Sequence, residues 1–394
     1  MKVDVAIVGA GLTGLSLAVA LGRAGRRVAV VDARARRPDE RGADYDARIY
    51  AVGPPAVAWL TGLKVWQGVA ADRTVRVEEM QIHGDAPRPG DPPLELSAYR
   101  AGIAELCTIA EEAEIGRALE RAAQHTGGLE FLRPARCVSL TQDEHLTRLR
   151  LADGREIDAR LVVGCDGANS WTRDAAGISA QSDSYGQSAV VANLACRAPH
   201  RNRAVQWFRS EADGSAGVLA WLPLPGERVS IVWSVADALA ARLIAMPEDE
   251  FVARLRMAGA HLLGDMRLEG PRLGFALRKQ VAASFVAGRV AIAGDAAHQV
   301  HPLAGQGLNL GLGDCAALAA ALEGADDCGE RRRLRSWERA RKAAVSEMVG
   351  VTHGLQRLFS QPHPAVRALR NLGLQVATRL PLIPSLLVSG ATRA

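Results

Sequence analysis

No C-x-x-C pair occurs in this chain of 394 residues. Its six cysteines, Cys107, Cys137, Cys165, Cys196, Cys315 and Cys328, are widely spaced and have mostly apolar neighbours. That argues against a disulfide framework and for reduced, mainly buried thiols in a cytosolic protein. No apolar run reaches the roughly 18 residues a spanning helix needs, which leaves a soluble protein or one peripheral to a membrane. The start shows no signal-peptide pattern, because Lys2 leads directly into an apolar strand and a glycine turn. Lysine is scarce. Only Lys2, Lys64, Lys279 and Lys342 stand among 48 basic residues, which leaves 44 arginines. This skew suits a GC-rich genome as well as it suits function, although arginine does favour bidentate pairing with phosphates and carboxylates. Nothing in a net charge of +5 calls for a nucleic-acid partner.

What is present suits an ordinary globular protein, with 48% apolar and 23% charged residues. The length predicts two domains. Val3–Val8 reads as a buried strand, followed by Gly9, Gly11 and Gly14 in G-x-G-x-x-G spacing. Leu12–Ala24 has helical periodicity, Gly25 stops it, Val28–Val31 reads as the next strand and Asp32 ends it. Each part has a use. Gly9 makes the tight turn, Gly11 lets a pyrophosphate approach the backbone, and Gly14 lets helix and strand pack closely. The helix N-terminus offers free N–H groups and a positive dipole to phosphates. Asp32 can accept from both hydroxyls of an adenosine ribose, so NAD or FAD fits better than a 2′-phosphorylated nucleotide. A lone glycine motif is weak, but strand, glycines, helix, strand and acid in this order predict adenine-dinucleotide binding.

Two further turns leave apolar strands. Arg160–Gly164 runs into Asp166-Gly167, with Ser170 and Arg173 in D-G-x-x-S-x-x-R spacing. Taken alone this is a strand-to-helix turn with Asp166 as cap. Val290–Ala293 runs into Gly294-Asp295, and Leu308–Leu322 then reads as a small-residue helix.

These three fingerprints together resemble the FAD-dependent aromatic hydroxylases. "DARIYAVGPPAVAWLTGLKVW" (Asp46–Trp66) and "GDAAHQVHPLAGQGLNLGLGDCAAL" (Gly294–Leu318) are similar to the ubiquinone-biosynthesis hydroxylase branch. The resemblance covers residues 1 to about 350 and is weakest between about 70 and 100 and between 180 and 270. It implies an α/β fold: a Rossmann-type FAD-binding domain from 1–72, 100–179 and 276–345. A mixed or antiparallel sheet domain from 73–99 and 180–275 would hold the substrate, and 346–394 would form a helical tail. It implies that Gly9, Gly11, Gly14 and Asp32 hold the ADP half of FAD, with Asp166 and Gly167 near the pyrophosphate. Arg48 would reach the pyrophosphate and the nicotinamide donor. Gly294 and Asp295 would bind the ribityl chain, Pro302, Gly305 and Gln306 would lie against the isoalloxazine ring, and backbone N–H groups of Gly307, Leu308 and Asn309 would face its pyrimidine edge.

The activity so implied is hydroxylation of an aromatic ring, a polyprenyl-phenol ubiquinone precursor, with O2 and NADH or NADPH by way of a flavin hydroperoxide. No protein nucleophile is needed for it, and no convincing Ser/His/Asp or Cys/His set is visible. No second G-x-G-x-x-G follows a strand, so the nicotinamide donor has no separate Rossmann site. The alternatives are a flavin reductase, or an FAD-binding scaffold in a quinone-biosynthesis complex; a halogenase would carry W-x-W-x-I-P, which is absent. One departure stands out. Ala113 occupies the place where the family writes an arginine, so either that contact is lost or Arg117, one turn on, replaces it.

His298 and His301 have the spacing of two ligands on a helix face, but no further Cys, His or acid is spaced to complete a zinc site. No metal is expected. His298 is expected to pack beside the flavin cleft and donate to backbone, with an acid–base role as the sharper alternative. Between 180 and 275, alternating runs with turns at Asp213-Gly214 and Pro225-Gly226 predict consecutive antiparallel strands. Trp207, Trp221 and Trp233 are candidates to line the substrate pocket, or plain sheet core. The tail carries apolar stripes at Leu355, Leu358 and Phe359 and at Val366, Leu369, Leu372 and Val376. Packing on the body is one reading; a membrane-surface or partner-docking role is the other, favoured by the resemblance because prenylated substrates live in membranes.

Overall fold

The computed structural model describes residues 1–42, 44–85, 92–211, 215–300 and 306–360. His301, Pro302, Gly305, the Asp213-Gly214 turn and the tail beyond Ser360 lie outside the described residues.

The first sheet is built around strand Lys2–Val8, which pairs in parallel with Glu156–Gly164 on one side and Val28–Val31 on the other. Leu129–Leu132 extends it beyond Val28–Val31, and Val290–Ile292 extends it beyond Glu156–Gly164, both in parallel. Continuous apolar runs suit strands covered on both faces. Val5, Ile7, Val28, Val30, Leu161 and Val163 all belong to one core cluster beneath helices Leu12–Arg23 and Gln306–Ala321. Each such side chain, fully removed from water, contributes about 1.5–3 kcal/mol. The parallel order brings the ends of three strands together. Gly9 follows the first, Cys165-Asp166 the second and Gly294-Asp295 the third.

The second sheet has eight strands, and its centre is the predicted antiparallel run. Arg203–Ser210, Ala216–Leu224 and Arg228–Ala236 pair consecutively, and the long strand Ala180–Cys196 pairs with the last of them. Helices Asp237–Ala245 and Glu248–Ala258 cover one of its faces. Residues 73–99 divide between sheets. Thr74–Val77 joins a small three-stranded sheet with Ile49–Val52 and Cys107–Glu111, whereas Glu79–His83 and Leu94–Ser97 join the large one. Strand Met266–Ala282 runs unbroken through position 275. The last described element, helix Arg331–Ser360, packs on Gln306–Ala321. No helix among the described residues is long and apolar enough to cross a membrane.

Candidate active site

The glycine turn folds as its spacing requires. Gly9 has φ +104°, and a Cβ there would collide with the carbonyl of Cys165. Its N–H donates to Val31 O at 2.7 Å. A Cβ on Gly14 would collide with the carbonyl of Gly9, so this glycine lets the turn close on itself as well as letting the helix approach. Gly11 faces open space, which leaves the helix N-terminus uncovered.

Asp32 is 8% exposed at the end of the second strand. Its Oδ2 accepts the N–H of Ala10 at 2.6 Å and its Oδ1 accepts the N–H of Arg34 at 2.7 Å. Burial alone would raise its pKa, but these backbone donors and the Arg34 guanidinium hold it below the usual value. The adjoining cleft measures ≈ 260 Å³, and Arg34, Arg37, Glu112, Glu120 and Arg133 line it with Gly11 and Asp32.

Near Ala113 the cleft is lined by arginines other than Arg117. Arg117 is buried and pairs with Glu114, and it does not line the cleft. The Ala113 N–H donates to Asp46 at 3.1 Å. Arg37, from the loop after the second strand, donates to Glu112 at 2.8 Å and lies over Gly116, where any side chain would crowd it. Arg133 meets Glu120 through two 2.7 Å hydrogen bonds. Neither arginine carries a sequence signal of its own, because both reach the cleft only through the fold.

Asp166 acts as the local cap. It accepts from the Ser170 hydroxyl at 2.5 Å and from the Thr172 N–H at 2.9 Å, while Ser170 caps helix Trp171–Ala175 through the Arg173 N–H. The turn still borders the glycine loop, since the Cα of Asp166 lies beside the position a Gly9 side chain would take. Arg173, also buried, donates to the carbonyls of Ala168 and Ala296 and so ties this turn to the Gly294-Asp295 turn.

Asp295 behaves otherwise. Its side chain is exposed, yet protein walls it closely enough that desolvation raises its pKa, against the pull of His298 and Arg48. Protein therefore surrounds this carboxylate without covering it. Among the described residues it accepts no hydrogen bond. Behind it lies Asp314, fully buried on helix Gln306–Ala321. Its Oδ2 accepts the Gly294 N–H at 2.9 Å and meets His298 Nε2 at 2.6 Å, and its Oδ1 accepts from Arg341 Nε at 2.7 Å. Burial opposes ionisation of Asp314, but His298, Arg341 and the Gly294 N–H outweigh it and lower the pKa. Thus His298 donates to a carboxylate where a backbone acceptor was expected. The ring is 1% exposed, and its Nδ1 is buried with no hydrogen-bond partner among the described residues. Sequence reading missed Asp314 and Arg341, although Asp314 lies within the long glycine-rich fingerprint.

Helix Gln306–Ala321 packs on the Gly294–Ala296 turn and carries Gln306, Gly307, Leu308 and Asn309 in its first turn. The Asn309 side chain accepts from Gly53 N–H at 2.9 Å and donates to Ala51 O at 3.0 Å, fixing strand Ile49–Val52 to the helix start. Arg48, just before that strand, reaches Glu112 at 3.4 Å and lies 5.0 Å from the Phe275 ring centroid. Among the described residues, no group of three or more His, Cys, Asp or Glu side chains is placed to hold a metal.

Residues 2–352 match the FAD binding domain family. The chain is 34% identical over 382 residues to ubiquinone hydroxylase UbiL of Rhodospirillum rubrum, across 96% of this chain and 86% of that protein. It is 31% identical over 388 residues to the 3-demethoxyubiquinol 3-hydroxylase of Escherichia coli, across 95% of both chains. The chain belongs to the ubiquinone-hydroxylase-related FAD-dependent aromatic monooxygenases. Solved structures agree. P. aeruginosa PqsL in complex with 2-aminobenzoylacetate matches with a TM-score of 0.76 at 26% identity, over 92% of this chain and 98% of that one. The p-nitrophenol 4-monooxygenase PnpA from Pseudomonas putida DLL-E4, at 20% identity, shares the fold with a TM-score of 0.78 over 99% of this chain and 98% of that one.

Strand parity decides which face of the monooxygenase's large sheet meets this site. Trp233 pairs with Leu219, Leu219 with Trp207 and Trp207 with His83, which makes one cross-strand row. Trp207, Trp221 and Trp233 all pack in the core under the two covering helices, and Trp233 donates to Glu211 there. They therefore form sheet core beneath those helices. The neighbouring row, one residue along each strand, is Phe275, Ala189, Ser234, Val218 and Phe208. Side chains alternate in a strand, so this row points the opposite way. Arg48 over Phe275, and Asn193 donating to Asp46 O at 3.0 Å, tie that face to the FAD-binding domain.

Proposed function

We propose that this monooxygenase hydroxylates the aromatic ring of a prenylated ubiquinone precursor, taking electrons from NADH or NADPH and oxygen from O2. The family carries the reaction type, and the names of the relatives from R. rubrum and E. coli support the substrate class. The single observation behind the site is the carboxylate of Asp295, closely walled by protein just beyond strand Val290–Ile292 and without a hydrogen bond among the described residues.

The residues present fit FAD. Asp32 and the open Gly11 turn would hold the ADP half, and backbone donors at the glycine turn suit a pyrophosphate. Asp295 would accept from the ribityl hydroxyls. Bound FAD supplies the redox chemistry that oxygenates an electron-rich ring. The protein's share is orientation and charge. The dipole of helix Gln306–Ala321 favours negative charge at its N-terminus, Asn309 fixes where that N-terminus sits, and Arg48 adds a cation at the cleft edge. His298 holds the Asp295 turn through Asp314 and transfers no proton to substrate. The row from Phe275 to Phe208 gives an aromatic ring an apolar face. A substrate with a prenyl chain lives in membrane, which would bring the protein to a membrane surface and to other enzymes of the same route.

Two measurements test this. Asp295→Ala should purify without bound FAD; a fully yellow variant would refute the placement of the flavin end. Metabolites of a deletion strain should include a ring precursor one hydroxyl short of the product. If none accumulates, the substrate assignment fails.

A further inference from the structure

Tyr50 sits on strand Ile49–Val52 between two clamps. Asn309 holds Ala51 and Gly53 on one side, and the carbonyl of Arg48 accepts the Glu112 N–H at 2.9 Å on the other. Alternation along the strand puts Tyr50 and Val52 on one face and Ile49 and Ala51 on the other. Ile49 and Ala51 pack towards Val77 and Ile109. Tyr50 and Val52 pack into the cluster that holds Leu12 and Leu308. Those leucines stand in the first turns of helices Leu12–Arg23 and Gln306–Ala321. The fold thus packs a phenol ring against the first turns of both helices.

The ring is half-buried, and its hydroxyl has no hydrogen-bond partner among the described residues. Burial pushes the hydroxyl up to about 12, and the charges of Glu112 and Asp295 act in the same direction against Arg48. The phenol therefore keeps its proton and stands as a donor near an acceptor-only carboxylate that is also unpartnered. Nothing in the glycine, D-G or G-D fingerprints includes this residue.

We propose that Tyr50 is a cofactor-contacting residue whose hydroxyl donates a hydrogen bond to the flavin-bearing half of FAD. The proposal rests on the reading of the Asp295 cleft as the flavin seat and adds a contact which that reading lacks. Tyr50→Phe keeps the ring and its packing and removes only the oxygen. FAD titrated into this apoprotein should bind roughly two- to tenfold more weakly, the worth of one hydrogen bond. ADP should bind as it does to the parent protein, and the melting temperature of the apoprotein should not move. An unchanged FAD dissociation constant overturns the proposal. An equal loss for ADP, or a lower apoprotein melting temperature, overturns it too, because the hydroxyl would then serve the adenosine half or the fold itself. Asp295→Ala separates the two readings. If that variant keeps full FAD affinity, both fall; if it loses FAD while Tyr50→Phe does not, only the Tyr50 contact falls.

Discussion

His298 Nε2 lies 2.6 Å from Asp314 Oδ2, the same oxygen that accepts the Gly294 N–H. One buried carboxylate therefore fixes both ends of the short turn that carries Asp295. Removing it leaves the imidazole buried without an acceptor and leaves the Arg341 guanidinium only the carbonyl of Leu310 among the described residues. Asp314→Ala should cost about 3–5 kcal/mol of stability, the range for breaking one side of a buried ion pair. Urea unfolding of the apoprotein would measure this, and a change well under 1 kcal/mol would show that the site relaxes freely.

Acid should act through the same carboxylates. Asp32 and Asp314 both have pKa values lowered from 3.8 in the folded protein, where backbone and cationic partners outweigh burial. Their stabilisation is complete above 3.8 and is lost as pH falls through the lower folded values. The melting temperature should fall steeply on that acid limb, and Asp32→Asn should make the limb shallower. An unchanged limb in this variant would contradict the assigned shift.

The glycine turn admits no methyl group. Gly9→Ala needs φ near +104° and places its Cβ into the Cys165 carbonyl, so it should yield little soluble, FAD-loaded protein. Flavin absorbance per mole of purified chain reads this directly. Wild-type loading in that variant would refute the described turn.

The two faces of the large sheet should separate in kinetics. Trp221→Phe should lower stability by about 1–2 kcal/mol, as core substitutions do, and leave KM for the aromatic substrate unchanged. Phe275→Ala should raise KM while changing stability less. The opposite assignment, with KM following Trp221, would return the tryptophans to the substrate pocket.

The dinucleotide half was legible because its signals are local. Strand, glycines, helix and acid follow one another within residues 3–32, and each signal rests on backbone geometry that its own residue type dictates. The sheet was legible in its strands but not in its faces. Period-two alternation separates Trp233 from Ser234, yet it does not say which of them the helices at 237–258 will cover. Arg37, Arg133 and Arg341 were invisible for another reason. In a chain with 44 arginines no single one stands out, and only the fold brings these three to Glu112, Glu120 and Asp314.

Arg341 lies on helix Arg331–Ser360, the last described element, and its Nε hydrogen bond to Asp314 crosses from that helix to the cofactor turn. Helix Arg331–Ser360 and the Asp295 turn therefore meet at one buried residue, Asp314. If loading FAD tightens this joint, helix Arg331–Ser360 becomes harder to open, and whatever grips that helix tightens FAD by the same factor.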